Sequence, residues 1–131
     1  MTNAPAKKIL LVDDDKFLLD MYAMKFGKSG YEVKALDSTD AGLKAVRDGY
    51  APDIILADIV MPGMDGLELV AAVRKEKLIP NAVIIMLTNQ SSSDDIARSK
   101  KLGVDGYIVK ATTIPSEVLS EVEKIYASKK S

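Results

Sequence analysis

The chain has 131 residues, 47% of them apolar, which is room for one globular domain with a single core. Its 18 basic and 19 acidic side chains leave a formal charge of −1, so electrostatics favours neither nucleic acid nor a membrane surface as the main partner. There is no cysteine and no histidine, which excludes disulfides, thiolate or imidazole metal sites and a Ser-His-Asp hydrolase.

Residues 1–6, with Pro5, read as a flexible tail ahead of a domain at 7–127. The first apolar run, Ile-Leu-Leu-Val at 9–12, is far too short for a signal peptide or a membrane span, so a cytoplasmic protein is expected. The run ends in Asp13, Asp14 and Asp15, of which Asp15 is the best placed to cap a first helix. That helix stops near Gly27-Lys28-Ser29. This tripeptide resembles the end of a nucleotide-binding loop, but the pattern needs glycine where Tyr22 stands. Residues 32–36 form a weaker strand, as an edge position allows. Leu43, Val46 and Tyr50 then fall at i, i+3 and i+7, a helical spacing.

The apolar runs at 54–57 and 82–87 read as strands buried on both faces, as does Tyr-Ile-Val at 107–109. Between the first two, Leu67, Val70 and Val73 mark a helix whose charged end, 74–77, is solvated. The serines at 91–93 would cap a fourth helix ahead of Asp94 and Asp95. Between Asp94 and Gly103 only Ile96, Ala97 and Leu102 are apolar, so this helix should be weakly anchored and movable. Thr113 is a candidate cap for the last helix, with Pro115 in its first turn and Ile114, Val118, Val122 and Ile125 on one stripe. Residues 128–131 read as a polar fray.

Five strands alternating with five helices predict an α/β domain with a parallel sheet and right-handed crossovers. Ligands of such sheets sit outside the carboxyl ends of the strands. The residues there are Asp13, Asp14 and Asp15 after the first strand, Asp58 after the third, Thr88 after the fourth and Lys110 after the fifth. Taken singly, each has an ordinary reading as a cap, a strand end or a solvated lysine. Together they make a site. Clustered carboxylates repel each other unless a hard cation neutralises them, and Mg2+ (or Mn2+) takes such oxygens. Asp14 and Asp58 can ligate it directly and Asp13 through water. Asp58 can also attack a phosphoryl group, whose charge the metal and Lys110 would balance while Thr88 donates a hydrogen bond.

These residues lie in recognisable motifs: Leu11-Val12-Asp13-Asp14, then Asp58-Ile59-Val60-Met61-Pro62-Gly63-Met64-Asp65-Gly66, then Met86-Leu87-Thr88, then Lys110. Over residues 8–126 the chain resembles the receiver domains of two-component response regulators. The resemblance implies a flavodoxin-like (βα)5 three-layer sandwich with strand order 2-1-3-4-5. It implies Asp58 as the phosphoacceptor, Asp13 and Asp14 as the acidic pair, and the Val60 backbone carbonyl as a further metal ligand. Thr88 and Tyr107 match the family's switch residues, and Lys110 its phosphate-pairing ammonium. The implied donor is a sensor histidine kinase or phosphotransfer protein. The implied response is a switch of the face made by the fourth helix, fifth strand and fifth helix, acting on an output protein, with the chain a monomer or a weak dimer through that face. Catalysis would be limited to self-phosphorylation and self-dephosphorylation.

Three positions depart from the family pattern: Ala111 where proline usually follows the lysine after a cis bond, Asn89 after Thr88, and apolar Val60 two residues past Asp58. Two other readings share these residues. One is an isolated receiver from a longer regulator. The other is a phosphatase of the haloacid dehalogenase type, for which Asp13-Asp14-Asp15-Lys16-Phe17 lacks the final threonine or valine and Asp58 has no role.

Overall fold

The computed structural model describes residues 6–88, 93–110 and 113–130. Five strands, β1 (Lys8–Val12), β2 (Glu32–Leu36), β3 (Ile54–Asp58), β4 (Val83–Thr88) and β5 (Gly106–Val109), form one parallel sheet in the order β2-β1-β3-β4-β5. Between and after them run α1 (Lys16–Lys28), α2 (Thr39–Arg47), α3 (Gly66–Lys75), α4 (Ser93–Lys101) and α5 (Pro115–Lys130). This is the flavodoxin-like three-layer arrangement. Alternation along the central strands divides the core in two. Leu10, Val12, Ile55, Ala57, Ile84 and Met86 face Leu43, Val46, Leu67, Val70 and Val73 of α2 and α3. Ile9, Leu11, Ile54, Leu56, Val83 and Ile85 face Leu19, Tyr22 and Phe26 of α1 and Val118 and Val122 of α5.

Four expectations need correction. In β5 only Ile108 is buried, because β5 is an edge strand with no neighbour beyond it among the described residues. The Thr113 hydroxyl does not cap α5. It donates to the Val109 carbonyl at 2.7 Å, and Pro115 takes the first helical position, where its missing N–H costs nothing. Ile114 therefore precedes the helix and is 61% exposed, while its N–H is satisfied by Glu117 Oε1 at 3.0 Å. The C-terminal residues expected to fray continue α5 to Lys130, where Lys129 reaches Asp105 at 3.4 Å.

Other local readings hold. Asp15 caps α1, accepting from the Leu18 N–H at 3.2 Å, and α1 stops at Ser29 with Gly30 at φ +92°. Ser99 is the only buried residue of α4, which accords with weak anchoring. The expected caps Ser91 and Ser92 lie outside the described residues.

Helices α1 to α4 all close with one pair of bonds, such as Gly30 N–H to Gly27 O and Tyr31 N–H to Phe26 O in α1. The first donor of the pair is Gly30, Gly49 or Gly103 in α1, α2 and α4, each at positive φ, but in α3 it is Lys77, at φ +57°.

Candidate functional site

The register brings the strand ends level. Val12 pairs with Ala57, Asp58 with Leu87, and Thr88 with Val109, so the aspartates just past β1 share one edge with the last residues of β3 and β4. Asp58 is the last residue of β3 and is 3% exposed; Thr88, the last of β4, is 1% exposed. Asp13 is also buried, whereas Asp14 is exposed. Carboxylate oxygens of Asp13, Asp14 and Asp58 lie within 4.8 Å of one another. Lys110, immediately after β5, reaches across the sheet edge to them, its Nζ standing 2.9 Å from Asp58 Oδ2 and 2.6 Å from Asp13 Oδ2.

Backbone donors orient the carboxylates. Asp13 Oδ1 accepts from the Asp15 N–H at 3.0 Å and Asp58 Oδ1 from the Val60 N–H at 3.2 Å. Burial drives the Asp58 carboxyl above its ordinary range, and Asp13 adds to this, while Lys110 and the Val60 N–H pull the other way without prevailing. Burial pulls the Lys110 ammonium down, but its bonds to Asp13 and Asp58 outweigh that and the net push is upward. Lys110 is thus charged at neutral pH.

Whether a divalent cation suits this place can be judged from the oxygens. Asp13 Oδ2 is buried and makes no hydrogen bond, having only the ion pair to Lys110. One ammonium faces three carboxylates within a few ångströms. A hard cation would supply the charge that the single Lys110 ammonium leaves unbalanced among the three carboxylates, so the donor set fits Mg2+.

A family model for the response regulator receiver domain matches residues 9–123. The chain belongs to that family. Among solved structures it is similar to a CheY-like receiver domain protein from Methanospirillum hungatei JF-1, at 30% identity and TM-score 0.85, over 95% of this chain and 97% of that one. It is similar to the chemotaxis protein CheY4 of Vibrio cholerae at 29% identity and TM-score 0.84, covering 92% and 98% of the two chains. A putative response regulator from Chloroflexus aurantiacus J-10-fl matches at 30% identity and TM-score 0.82, over 93% and 98%.

In this receiver domain the structure gathers Asp13, Asp14, Asp58 and Lys110 as the sequence led us to expect, with Thr88 one strand away from Asp58. Tyr107 is half-buried on β5 and packs against the core shared with α2 and α3. Val60, two residues past Asp58, is 68% exposed. Asn89, Gln90 and Ala111, and with Ala111 the bond from Lys110, lie outside the described residues.

Two residues escaped the sequence reading. Tyr22 is 2% exposed, and its phenol is pushed up by burial within electrostatic reach of Lys110, Asp13 and Asp58. Its spacing with Leu19 and Phe26 marks only a core stripe, so no signal pointed to the site. Thr39 is the other. It is buried at the start of α2 and bonded to the loop that follows Asp58.

Proposed function

We propose that this receiver takes a phosphoryl group onto Asp58 from a sensor histidine kinase or phosphotransfer protein, in a step that requires Mg2+. The observation that carries the reading is Lys110 Nζ set between Asp58 and Asp13 beside a third carboxylate. Asp58 Oδ attacks the phosphorus in line while the bond to the donor nitrogen breaks, and the group leaves the donor as the aspartyl phosphate forms. Lys110 then pairs with a phosphate oxygen and Thr88 donates to another. Asp13, Asp14, Asp58 and the Val60 carbonyl would hold Mg2+, which supplies charge neutralisation for the transferring group.

An apolar stripe supports a helical donor partner. Phe17, Met21 and Met24 on α1 are 73%, 37% and 61% exposed, at i, i+4 and i+7, and the stripe begins two residues past Asp15. Phosphorylation shifts an existing equilibrium of the α4-β5-α5 face, with Thr88 and Tyr107 as the switch, and that face acts on an output protein. The thin anchoring of α4 supports this. The protein works in the cytoplasm as a monomer or weak dimer through the same face, binds neither DNA nor membrane directly, and has no turnover beyond slow loss of its own phosphate. A receiver excised from a longer regulator would act by the same chemistry. Membership of the receiver family leaves the dehalogenase-type phosphatase reading without support.

The test is to incubate wild type and Asp58→Asn with Mg2+ and a small phosphodonor and weigh the intact proteins. One added phosphoryl mass in wild type alone is expected. The same mass on the variant would move the acceptor elsewhere.

A further inference from the structure

Thr39 opens α2 and is 1% exposed. Its hydroxyl donates to the carbonyl of Met64, 25 residues further on, at 2.5 Å. The helix does not need this bond at its own end, since Ser38 already caps it by accepting from the Ala41 N–H at 3.1 Å. A buried hydroxyl has instead been given to the loop that leaves Asp58.

That loop has little freedom elsewhere. It begins with the Val60 N–H on Asp58 Oδ1 and is closed by the Gly66 N–H on Ile59 O at 2.8 Å. A Cβ on Gly66 would stand 1.9 Å from the Asp58 carbonyl oxygen, so the start of α3 is pressed against the acceptor's own backbone. Pro62 has a fixed φ. Gly63, at φ +71°, is the one described residue between Val60 and Met64 in the left-handed region, and it is the natural pivot. The Thr39 bond falls on the residue directly after that pivot.

We propose that Thr39 is a positioning residue for the metal site: its hydroxyl locks the loop at Met64 so that the Val60 carbonyl is held ready beside Asp13, Asp14 and Asp58. This rests on reading the site as one that binds Mg2+. The ion demands near-ideal octahedral geometry at about 2.0–2.1 Å, so a small drift of one oxygen matters. Removing a group that orients a metal ligand typically costs about 10–100-fold in affinity, and Thr39 acts through several residues of chain, so the lower end, about tenfold, is expected.

Thr39→Val keeps the shape and removes the donor; Thr39→Ser keeps the donor. Mg2+ is titrated calorimetrically into each full-length protein without phosphodonor, and unfolding in chelator is followed separately. The expected result is Mg2+ affinity about tenfold weaker in Thr39→Val and close to wild type in Thr39→Ser. Unchanged affinity in Thr39→Val overturns the proposal, even if that variant is less stable. Equal weakening in both overturns it too, because volume and not the bond would then matter. Should the valine methyl prevent folding, Thr39→Ala removes the donor without adding bulk and is read in the same way. Wild type that fails to bind Mg2+ would sink the reading of the site itself, a result distinct from either.

Discussion

Lys110 Nζ stands between two buried carboxylates, 2.9 Å from Asp58 Oδ2 and 2.6 Å from Asp13 Oδ2, with side-chain exposure of 5% or less at all three. A single ammonium therefore serves two acids, and Asp14 beside them has no cation of its own among the described residues. Three carboxylates against one ammonium leave negative charge that a divalent ion would balance.

The cost should be visible in folding. The Asp58 carboxyl is held above its ordinary value of 3.8, chiefly by burial. The folded protein then keeps this proton at pH values where the unfolded chain has released it. Stability contributed by Asp58 accordingly falls as pH rises through that window and stays lower above it. Asp58→Asn, measured in chelator, should be more stable than wild type at neutral pH, since Lys110 retains Asp13. The gain should vanish as pH drops below the ordinary carboxylate value, where wild type is protonated in both states. Added Mg2+ should stabilise wild type more than the variant. Urea unfolding across pH tests this, and a variant less stable than wild type at neutral pH would show that the Lys110 pair outweighs burial.

The triple aspartate divides its work. Asp14 belongs to the carboxylate group at the sheet edge, whereas Asp15 accepts from the Leu18 N–H and caps α1. Asp14→Ala should lose Mg2+ affinity while leaving the helix end intact. Asp15→Ala should keep Mg2+ binding and lose ~1 kcal/mol of folding stability. Equal loss of Mg2+ affinity in the two variants would place the metal ligand one residue off.

Lys77 offers a test free of the site. It occupies, at φ +57°, the position that glycine fills after α1, α2 and α4, and it makes the same closing bond, to Arg74 O at 3.1 Å. A side chain in the left-handed region costs about 1 kcal/mol, and Lys77 is exposed, so little packing is lost on its removal. Lys77→Gly should raise stability by up to about that amount, offset in part by the freedom glycine adds to the unfolded chain. A lower urea midpoint would mean that the lysine side chain contributes a contact worth more than the strain.

Much of this was legible because the central strands, buried on both faces, leave continuous apolar runs, and in a parallel sheet the residues closing those runs must share an edge. Asp13, Asp58, Thr88 and Lys110 could be placed for that reason alone. β5 misled because Tyr-Ile-Val has the composition of a central strand, and only the strand order reveals it as an edge. Thr113 misled because a hydroxyl before Pro115 suits a cap as well as it suits the Val109 carbonyl. Thr39 was hidden in Ser38-Thr39-Asp40, where all three side chains are cap formers. Which of them turns toward Met64 depends on how α2 lies against α3, and no local pattern encodes that.

The lifetime of the phosphorylated form should depend on Val60. Its N–H is bound to Asp58 Oδ1, which fixes the backbone beside that carboxylate, while its side chain is 68% exposed and contributes little to the core. Hydrolysis of the aspartyl phosphate needs a water in line with phosphorus, opposite the carboxylate oxygen. Valine offers that water no hydrogen bond, and its methyl groups should hinder the approach. Val60→Asn would supply an amide able to hold the water without altering Asp58, Lys110 or Thr88. The fold should be unaffected, and decay should quicken by up to roughly tenfold, well short of the 10²–10⁴ that a true general base provides. The measurement loads both proteins with a small phosphodonor, removes the donor and follows loss of the phosphoryl mass with time. An unchanged or slower rate in Val60→Asn would show that access past residue 60 does not limit the reaction.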